Sequence, residues 1–201
     1  MNVNNSSDEF AMRIALDQAQ NAWLAGEVPV GAVIMRAGQV MATGYNRPIT
    51  THDPTAHAEI VALRHASQLM ENYRLPECEL FVTLEPCAMC AMALMHARFK
   101  RVVFAATDPK TGVAGSVIDL FANKQLNHHT QIVGGVLADA SSQMLKQFFA
   151  ERRAQIKALR DERRAASSRQ ALHGVDVIES HDELPLHEEI PVGQVIEVPE
   201  E

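Results

Sequence analysis

Two short motifs contain the residue types that hold a metal ion and move a proton. The first, Thr-Ala-His-Ala-Glu, carries His57 and Glu59, and the second, Glu-Pro-Cys-Ala-Met-Cys, carries Cys87 and Cys90. Two cysteines three residues apart lie on the same side of a helical turn, where both thiolates can bind one Zn²⁺. His57 is the natural third ligand. A Cys₂His set without a fourth protein ligand is typical of catalytic zinc, so the motifs predict a catalytic zinc site.

Glu59 is the residue that would give such a site acid–base chemistry. It follows His57 by two positions, about 200° round an ideal helix, so both side chains can flank one pocket only at a helix start. A carboxylate beside a zinc-activated water can accept a proton and return it to a leaving amine, which contributes about 10²–10⁴-fold in rate. Alone, Glu59 would be a solvated helix residue, and the Cys-x-x-Cys pair a structural or incidental feature. In this order, His-x-Glu before Pro-Cys-x-x-Cys is the signature of zinc-dependent nucleobase deaminases.

The composition indicates an ordinary globular protein without a disulfide framework. The chain has 201 residues, of which 47% are hydrophobic, and its three cysteines follow no secretory signal. Cys78 is therefore expected to be a buried core residue. No stretch approaches the roughly 20 apolar residues that span a bilayer, so we expect no membrane partner and a cytoplasmic location.

The charge is distributed unevenly along the chain. The net charge is −7, but residues 174–201 contain nine acidic residues and no lysine or arginine. Residues 146–169 contain eight basic and three acidic residues. A basic helix suits a nucleic-acid partner, although a charge run is more often a solvated surface.

Helical and strand patterns alternate, which predicts an α/β layered domain with a central mixed sheet of about five strands flanked by helices. Helices are expected over residues 8–25, 56–70, 87–98 and 138–168, with a short helix after a loop over residues 107–116. Strands are expected over residues 28–35, 40–43, 79–84, 101–106 and 130–133, and a loop over residues 45–55.

The predicted organisation has three parts. Residues 1–7 form a flexible N-terminus, and residues 8–160 form the zinc-dependent deaminase domain, including most of the last helix. Residues 161–201 contain the end of that helix and an acidic tail, which we expect to be disordered because its apolar residues have no sustained period.

Several longer stretches resemble one family of enzymes over about residues 8–160. They are Val-Pro-Val-Gly-Ala-Val at 28–33, Asn-Arg-Pro-Ile at 46–49, the stretch around the first motif at 52–59, Asn-Tyr-Arg-Leu at 72–75, Val-Thr-Leu-Glu-Pro-Cys at 82–87 and Asp-Pro-Lys-Thr-Gly at 108–112. The chain resembles the bacterial tRNA-specific adenosine deaminases of the cytidine deaminase-like superfamily. The zinc motif alone fits many deaminases, whereas Asn-Arg-Pro-Ile and Asp-x-Lys-Thr-Gly are more specific to the tRNA enzymes.

The resemblance implies a three-layer cytidine deaminase-like fold with one zinc ion per subunit. It implies His57, Cys87 and Cys90 as the zinc ligands and Glu59 as the proton shuttle. It also implies that the partner is a tRNA anticodon stem-loop and that two identical subunits form a homodimer. The methionine-rich helix over residues 87–95 could form the dimer contact, and core packing explains its composition equally well.

A second set of residues is implied to bind the base. The Asn46 amide would interact with the base edge, although asparagine also favours turns. The backbone N–H groups of Ala58 and Cys87 would orient the base. Val30, Leu84 and Pro86 would line the pocket, and without the resemblance Val30 and Leu84 are simply strand residues of the core.

The implied reaction converts adenosine to inosine at the wobble position of the anticodon, which we expect to be that of an arginine tRNA with the anticodon ACG. Loop bases are partly unstacked, so extruding one costs less than in a duplex. RNA contacts are implied for Asp108, Lys110, Thr111, Phe149 and Arg152. Phe149 could instead pack on the core, and Asp108 could only stabilise its own loop. Val113 departs from the alanine usual at its position.

Two rival functions remain open at this point. A zinc deaminase of a free base or nucleoside, such as guanine or cytosine, would use the same chemistry, but it needs neither the basic helix nor the Asp-x-Lys-Thr-Gly loop. A non-catalytic zinc module that binds RNA would not need Glu59, and its zinc should be closed by four protein ligands.

Overall fold

The computed structural model describes residues 3–172, and side chains from residue 6 to 168. Residues up to Glu151 form one compact unit, and residues from Arg152 form a second. The helices are α1 (Val3–Leu24), α2 (Pro48–Thr51), α3 (Ala58–Leu69), α4 (Ala88–His96) and α5 (Ala138–Leu172). The strands are β1 (Gly31–Arg36), β2 (Gln39–Tyr45), β3 (Cys78–Leu84), β4 (Arg101–Ala106) and β5 (Gln131–Gly134).

The five strands form one mixed sheet in the order β2-β1-β3-β4-β5. Strand β1 pairs antiparallel with β2 and β3, whereas β3, β4 and β5 run parallel to one another. The predicted mixed sheet of about five strands flanked by helices is confirmed. Because β3 and β4 are parallel, the loops at their carboxyl ends, after Leu84 and Ala106, emerge at the same edge of the sheet.

The sheet separates two hydrophobic layers, because successive side chains of a strand point to opposite faces. One face packs on α3 and α4 through residues such as Ile34, Val82 and Leu94. The other packs on α1 through residues such as Met12 and Phe81. Cys78 is fully buried in the first layer, as predicted.

A partly buried ionic cluster joins α1 to the sheet. The Arg101 guanidinium donates hydrogen bonds to both carboxylate oxygens of Asp8, one at 2.8 Å, and to Glu79 Oε2 at 3.0 Å. Helix α1 begins at Val3 rather than at residue 8. Asp8 therefore lies within the helix, next to β4.

One predicted element is wrong. The short helix expected between residues 116 and 130 is absent from the structure, which has turns there. Asp119 and Asn123 accept hydrogen bonds from the backbone N–H groups of Ala122 and Gln125, at 3.0 Å each. Such local side-chain bonds compete with helical hydrogen bonds, which explains the turns.

Two further predictions differ in detail or fall elsewhere. The expected loop over residues 45–55 contains the one-turn helix α2. The acidic tail beyond residue 172 lies outside the described residues, and the domain boundary at residue 160 stays a prediction. Among the described residues, no helix is long and apolar enough to cross a membrane.

Helix α3 lies so close to β2 that only glycine fits at position 44. A Cβ on Gly44 would lie 2.5 Å from both the Ala58 carbonyl oxygen and the Ala62 backbone nitrogen. These are backbone atoms of the first two turns of α3, so a larger residue must displace the helix start.

We therefore expect Gly44→Ala to lower the free energy of unfolding by about 1–3 kcal/mol, the usual cost of overpacking. The midpoint of denaturant unfolding measures this cost. Val40→Ala, at an exposed position of the same strand, is the control and should change the midpoint little. A Gly44→Ala variant as stable as the wild type would contradict the close contact.

Candidate active site

The starts of α3 and α4 bring the two motifs together. His57 is the N-cap residue of α3 and Cys87 that of α4, and both have extended backbone conformations. Cys90 lies in the first turn of α4. His57 is therefore outside the helix and Glu59 inside it, which removes the 200° separation that a continuous helix would impose. The expected helix start at residue 56 is two residues too early.

The three predicted ligands form a set that fits zinc. His57 Nδ1 lies 3.7 Å from Cys87 Sγ and 3.6 Å from Cys90 Sγ. Tetrahedral Zn²⁺, at about 2.3 Å from sulfur and about 2.0 Å from nitrogen, requires about 3.6 Å between such atoms. All three ligand atoms lie within 4.8 Å of one another, and no fourth protein ligand joins the set within the described part of the chain. The donor set of one histidine and two cysteines fits zinc.

Glu59 lies beside this set and is almost completely buried, with 4% of its surface exposed. Burial raises the pKa of its carboxyl group above the ordinary value, and a hydrogen bond with Cys90 and the charge of His57 partly oppose that shift. A carboxyl group with a raised pKa is suited to both accepting and releasing a proton near neutral pH.

The two thiols of the set differ in pKa. A hydrogen bond from Cys90, together with one involving His57, lowers the pKa of Cys87 to about 4. The pKa of Cys90 is raised, because its thiol donates to Cys87 and is buried. The hydrogen bond with Cys87 also raises the pKa of His57. Cys87 is therefore the thiol of the set that ionises first, and the thiolate is the form that binds zinc.

Asn46 holds the start of α3. Its side-chain Oδ1 accepts the Ala58 backbone N–H at 2.9 Å, and its own backbone N–H donates to the Val30 carbonyl at 3.0 Å. The Ala58 N–H, which was expected to orient a base, thus has a partner within the chain. Asn46 supports the segment that carries His57.

The other expected pocket residues surround the same helix start. Val30 and Ala58 are buried in the core layer on the α3 side, and the partly buried Leu84 packs against it. Pro86 is buried, and its carbonyl accepts the Val113 N–H at 3.0 Å. These residues form the apolar surroundings of the site, and their contact with a base stays a prediction.

The expected RNA contacts divide into two groups. Asp108 accepts hydrogen bonds from the backbone N–H groups of Lys110 and Thr111 and from the Thr111 hydroxyl. It therefore shapes its own loop and leaves Lys110 and Thr111 exposed at the tip. Phe149 is 36% exposed, whereas its neighbour Phe148 is buried against Trp23. Arg152 belongs to the second unit.

Two further carboxylates, which the sequence did not mark as functional, are buried in the segments that border the site. Glu27 Oε1 accepts the Thr50 N–H at 2.7 Å and so holds the segment after Asn46. Glu85 accepts hydrogen bonds from three backbone N–H groups and one hydroxyl. Burial raises the pKa of Glu85, but these bonds lower it more, so the group is ionised at neutral pH. In the sequence, both residues lie next to turns, and Glu85 also opens the Glu-Pro-Cys-Ala-Met-Cys motif.

Comparison with known proteins decides the family. Residues 5–106 match the family described as the cytidine and deoxycytidylate deaminase zinc-binding region. The chain belongs to this deaminase family. It is 47% identical over 156 residues to a tRNA-specific adenosine deaminase of Haemophilus influenzae, covering 77% of this chain and 90% of the relative. A protein of the same name from Bacillus subtilis is 39% identical over 155 residues, covering 77% of this chain and 96% of the relative.

Solved structures of deaminases share the fold. A structure from a study of A-to-I editing by tRNA:A34 deaminases superposes with a TM-score of 0.65 at 38% identity, covering 67% of this chain and 98% of that one. A guanine deaminase from Nitrosomonas europaea has a TM-score of 0.60 at 26% identity, covering 71% of this chain and 84% of that one. The cytidine deaminase-like fold and the resemblance to tRNA adenosine deaminases are confirmed.

The unequal thiols give a test of the metal site. In metal-free protein at pH 6, iodoacetamide should alkylate Cys87 much faster than Cys78 or Cys90, because only Cys87 is a thiolate well below pH 9. The rate should fall only as the pH approaches about 4. Peptide mass spectrometry identifies the modified cysteine.

Zinc should protect Cys87 in the same assay. The control is the metal-free protein denatured at pH 6, in which all three cysteines should react equally slowly. A folded protein whose Cys87 reacts only above pH 8, or whose reaction ignores added zinc, would contradict the arrangement of ligands.

Proposed function

We propose that the protein deaminates adenosine to inosine, by hydrolysis, at the wobble position of a tRNA anticodon. The observation that carries the chemistry is the buried Glu59 carboxylate beside the His57, Cys87 and Cys90 ligand set. The observation that carries the substrate is the identity of 47% to a tRNA-specific adenosine deaminase over most of both chains.

One zinc ion per subunit, held by His57, Cys87 and Cys90, would act as a Lewis acid that lowers the pKa of water to about 7. Glu59 would accept one proton of the attacking water as the water oxygen bonds to C6 of adenine, and would pass that proton to N1, which gains the electron pair of the C6=N1 bond. Glu59 would then carry the remaining hydroxyl proton to the amino nitrogen, so that C6=O forms as the C6–N bond breaks. Ammonia leaves, and the base that remains is hypoxanthine, so the nucleoside is inosine.

Asn46 has two tasks in this proposal. Its Oδ1 already accepts the Ala58 N–H, so its Nδ2 is the atom that can donate to the edge of a bound base. Val30, Leu84 and Pro86 supply apolar contact around the base, and the Cys87 N–H contributes to its orientation.

The RNA would contact Asp108, Lys110, Thr111, Phe149 and Arg152. The tip of the Asp108 loop offers a cation and a hydroxyl for phosphates, and the exposed ring of Phe149 can stack on an unpaired base. By resemblance, the substrate is an arginine tRNA with the anticodon ACG. We also propose that the enzyme is a cytoplasmic homodimer, with the methionine-rich helix α4 as its contact.

The second unit carries charge that suits this substrate. Arg153, Lys157, Arg160 and Arg164 are exposed and follow at spacings of four, three and four residues along α5, so they lie on one side of the helix. They form a row about 16 Å long. None of the ion pairs formed by described side chains involves these four. A row of such cations favours a polyanion.

Deamination of a free base such as guanine is the second candidate, favoured by the likeness to the guanine deaminase fold. It accounts for Glu59 and the ligand set but gives no task to the row of cations. A non-catalytic zinc module that binds RNA accounts for the cations but not for a buried carboxylate beside the ligands. Wobble adenosine deamination accounts for both features.

An activity panel separates these functions. The wild type should convert adenosine in an anticodon stem-loop with the sequence ACG and leave free adenine, guanine and cytosine unchanged, as liquid chromatography of the products measures. Glu59→Gln should retain zinc and lose at least about 10²-fold in rate, because the proton carrier is removed.

The matched control for that variant is Glu77→Gln, which changes an exposed carboxylate just before strand β3 and should leave the rate near that of the wild type. Turnover of free guanine alone would favour the second candidate. Normal turnover by Glu59→Gln would show that another group carries the proton.

The row of cations predicts a salt dependence. The triple variant Lys157→Ala/Arg160→Ala/Arg164→Ala should bind the stem-loop more weakly. The slope of log Kd against log salt concentration should decrease by about 0.7–0.9 for each RNA phosphate that the variant no longer neutralises. Fluorescence anisotropy at several salt concentrations measures the slope.

A triple variant with the same change in net charge is the control. Arg13, Arg36 and Lys124 are also exposed, and their replacement by alanine should change the slope less. If both variants have the same slope, the row is only a solvated face of the helix.

A further inference from the structure

Glu85 lies between the end of β3 and the ligand Cys87, and its side chain closes a loop that the catalytic chemistry does not use. The carboxylate is 3% exposed. Oε2 accepts the Asp108 N–H at 2.9 Å and the Ser116 hydroxyl. Oε1 accepts the N–H groups of Ala114 and Ser116 at 2.8 and 3.2 Å. One side chain therefore holds both ends of the loop over residues 108–116.

The same loop is also joined to the metal motif. Gly112 forms an isolated antiparallel bridge with Cys87, and the Val113 N–H donates to the Pro86 carbonyl at 3.0 Å. A Cβ on Gly112 would lie 2.5 Å from Glu85 Cδ and 2.6 Å from the Asp108 carbonyl oxygen. The loop thus lies directly on the carboxylate, without room for another side chain.

The chemistry of this anchor requires a carboxylate. Four donors converge on Glu85, and an ionised carboxylate is an acceptor at about four lone-pair positions and a donor at none. A glutamine would keep the shape but replace one acceptor oxygen by an NH₂ group. That group would face N–H donors, so one end of the loop would lose its partner.

We propose that Glu85 is a positioning residue that fixes the Asp108–Ser116 loop to Cys87. Lys110 and Thr111 at the loop tip are then held at a constant distance from the ligand set. This inference rests on the proposed function, because its consequence is that RNA held at the tip is presented to the site in one position. The loop therefore sets the distance between the RNA contact at its tip and the reacting base.

Two variants test the hydrogen bonds between Glu85 and the loop, one by changing the carboxylate and the other by changing the loop. Glu85→Gln removes an acceptor, and Gly112→Ala pushes the loop off the carboxylate. In each, hydrogen exchange of the segment 108–116 should accelerate by at least about 10-fold, because amide protection depends on these hydrogen bonds. Zinc content and protection of β1 and β4 should stay at wild-type values, which separates loss of the anchor from unfolding.

The functional consequence is measured as binding of an ACG anticodon stem-loop by fluorescence anisotropy, with Glu59→Gln in every protein to prevent turnover. Kd should rise about 10-fold for Glu85→Gln and for Gly112→Ala. The Kd of the double variant should rise by much less than the product of the two single effects, because the effects of residues that act through one contact are not additive. Glu77→Gln, at an exposed position just before the same strand, is the control and should bind normally.

The outcomes separate the anchor from the proposed function. Unchanged exchange of the loop in Glu85→Gln, or unchanged Kd in a protein whose loop exchange has accelerated, would overturn the inference. Failure of the parent protein to bind the stem-loop would instead overturn the tRNA substrate, and the exchange comparison would still decide whether Glu85 anchors the loop.

Discussion

Everything at the site depends on one distance constraint. Three ligand atoms must lie about 3.6 Å apart to hold one tetrahedral zinc ion, and they come from the starts of two different helices. His57 Nδ1 lies at such distances from both cysteine sulfurs. The close contacts of α3 with β2 at Gly44 and of Asn46 with Ala58 place the start of α3, and with it His57.

Buried carboxylates recur around that constraint with different tasks. Glu59 has a burial-raised pKa and lies beside a ligand, which suits proton transfer. Glu27 and Glu85 accept backbone N–H groups and hold the segments that border the site. A buried carboxylate is costly unless it is hydrogen-bonded. Whether a buried carboxylate is suited to carry a proton or to hold a loop therefore depends on how many hydrogen-bond donors surround it.

The three candidate ligands could be predicted from the sequence, because the spacing of His-x-Glu and Cys-x-x-Cys is itself typical of a zinc site. The sequence was also sufficient for the sheet, whose buried strands have clear patterns. The role of Glu85 could not be predicted, because its four hydrogen-bond donors, from residues 108–116, reach it only in the folded structure. The helix expected after residue 116 failed for a related reason, because Asp119 and Asn123 bond to nearby backbone and compete with the helix.

One isotope experiment tests both the proposed hydrolysis and the proposed RNA substrate. An ACG anticodon stem-loop is incubated with the zinc-loaded protein in ¹⁸O-labelled water, and its nucleosides are analysed by mass spectrometry. The account predicts inosine at the wobble position only, carrying one ¹⁸O atom, because the water oxygen replaces the amino group at C6. Unlabelled inosine, inosine at other positions or unchanged adenosine would contradict it.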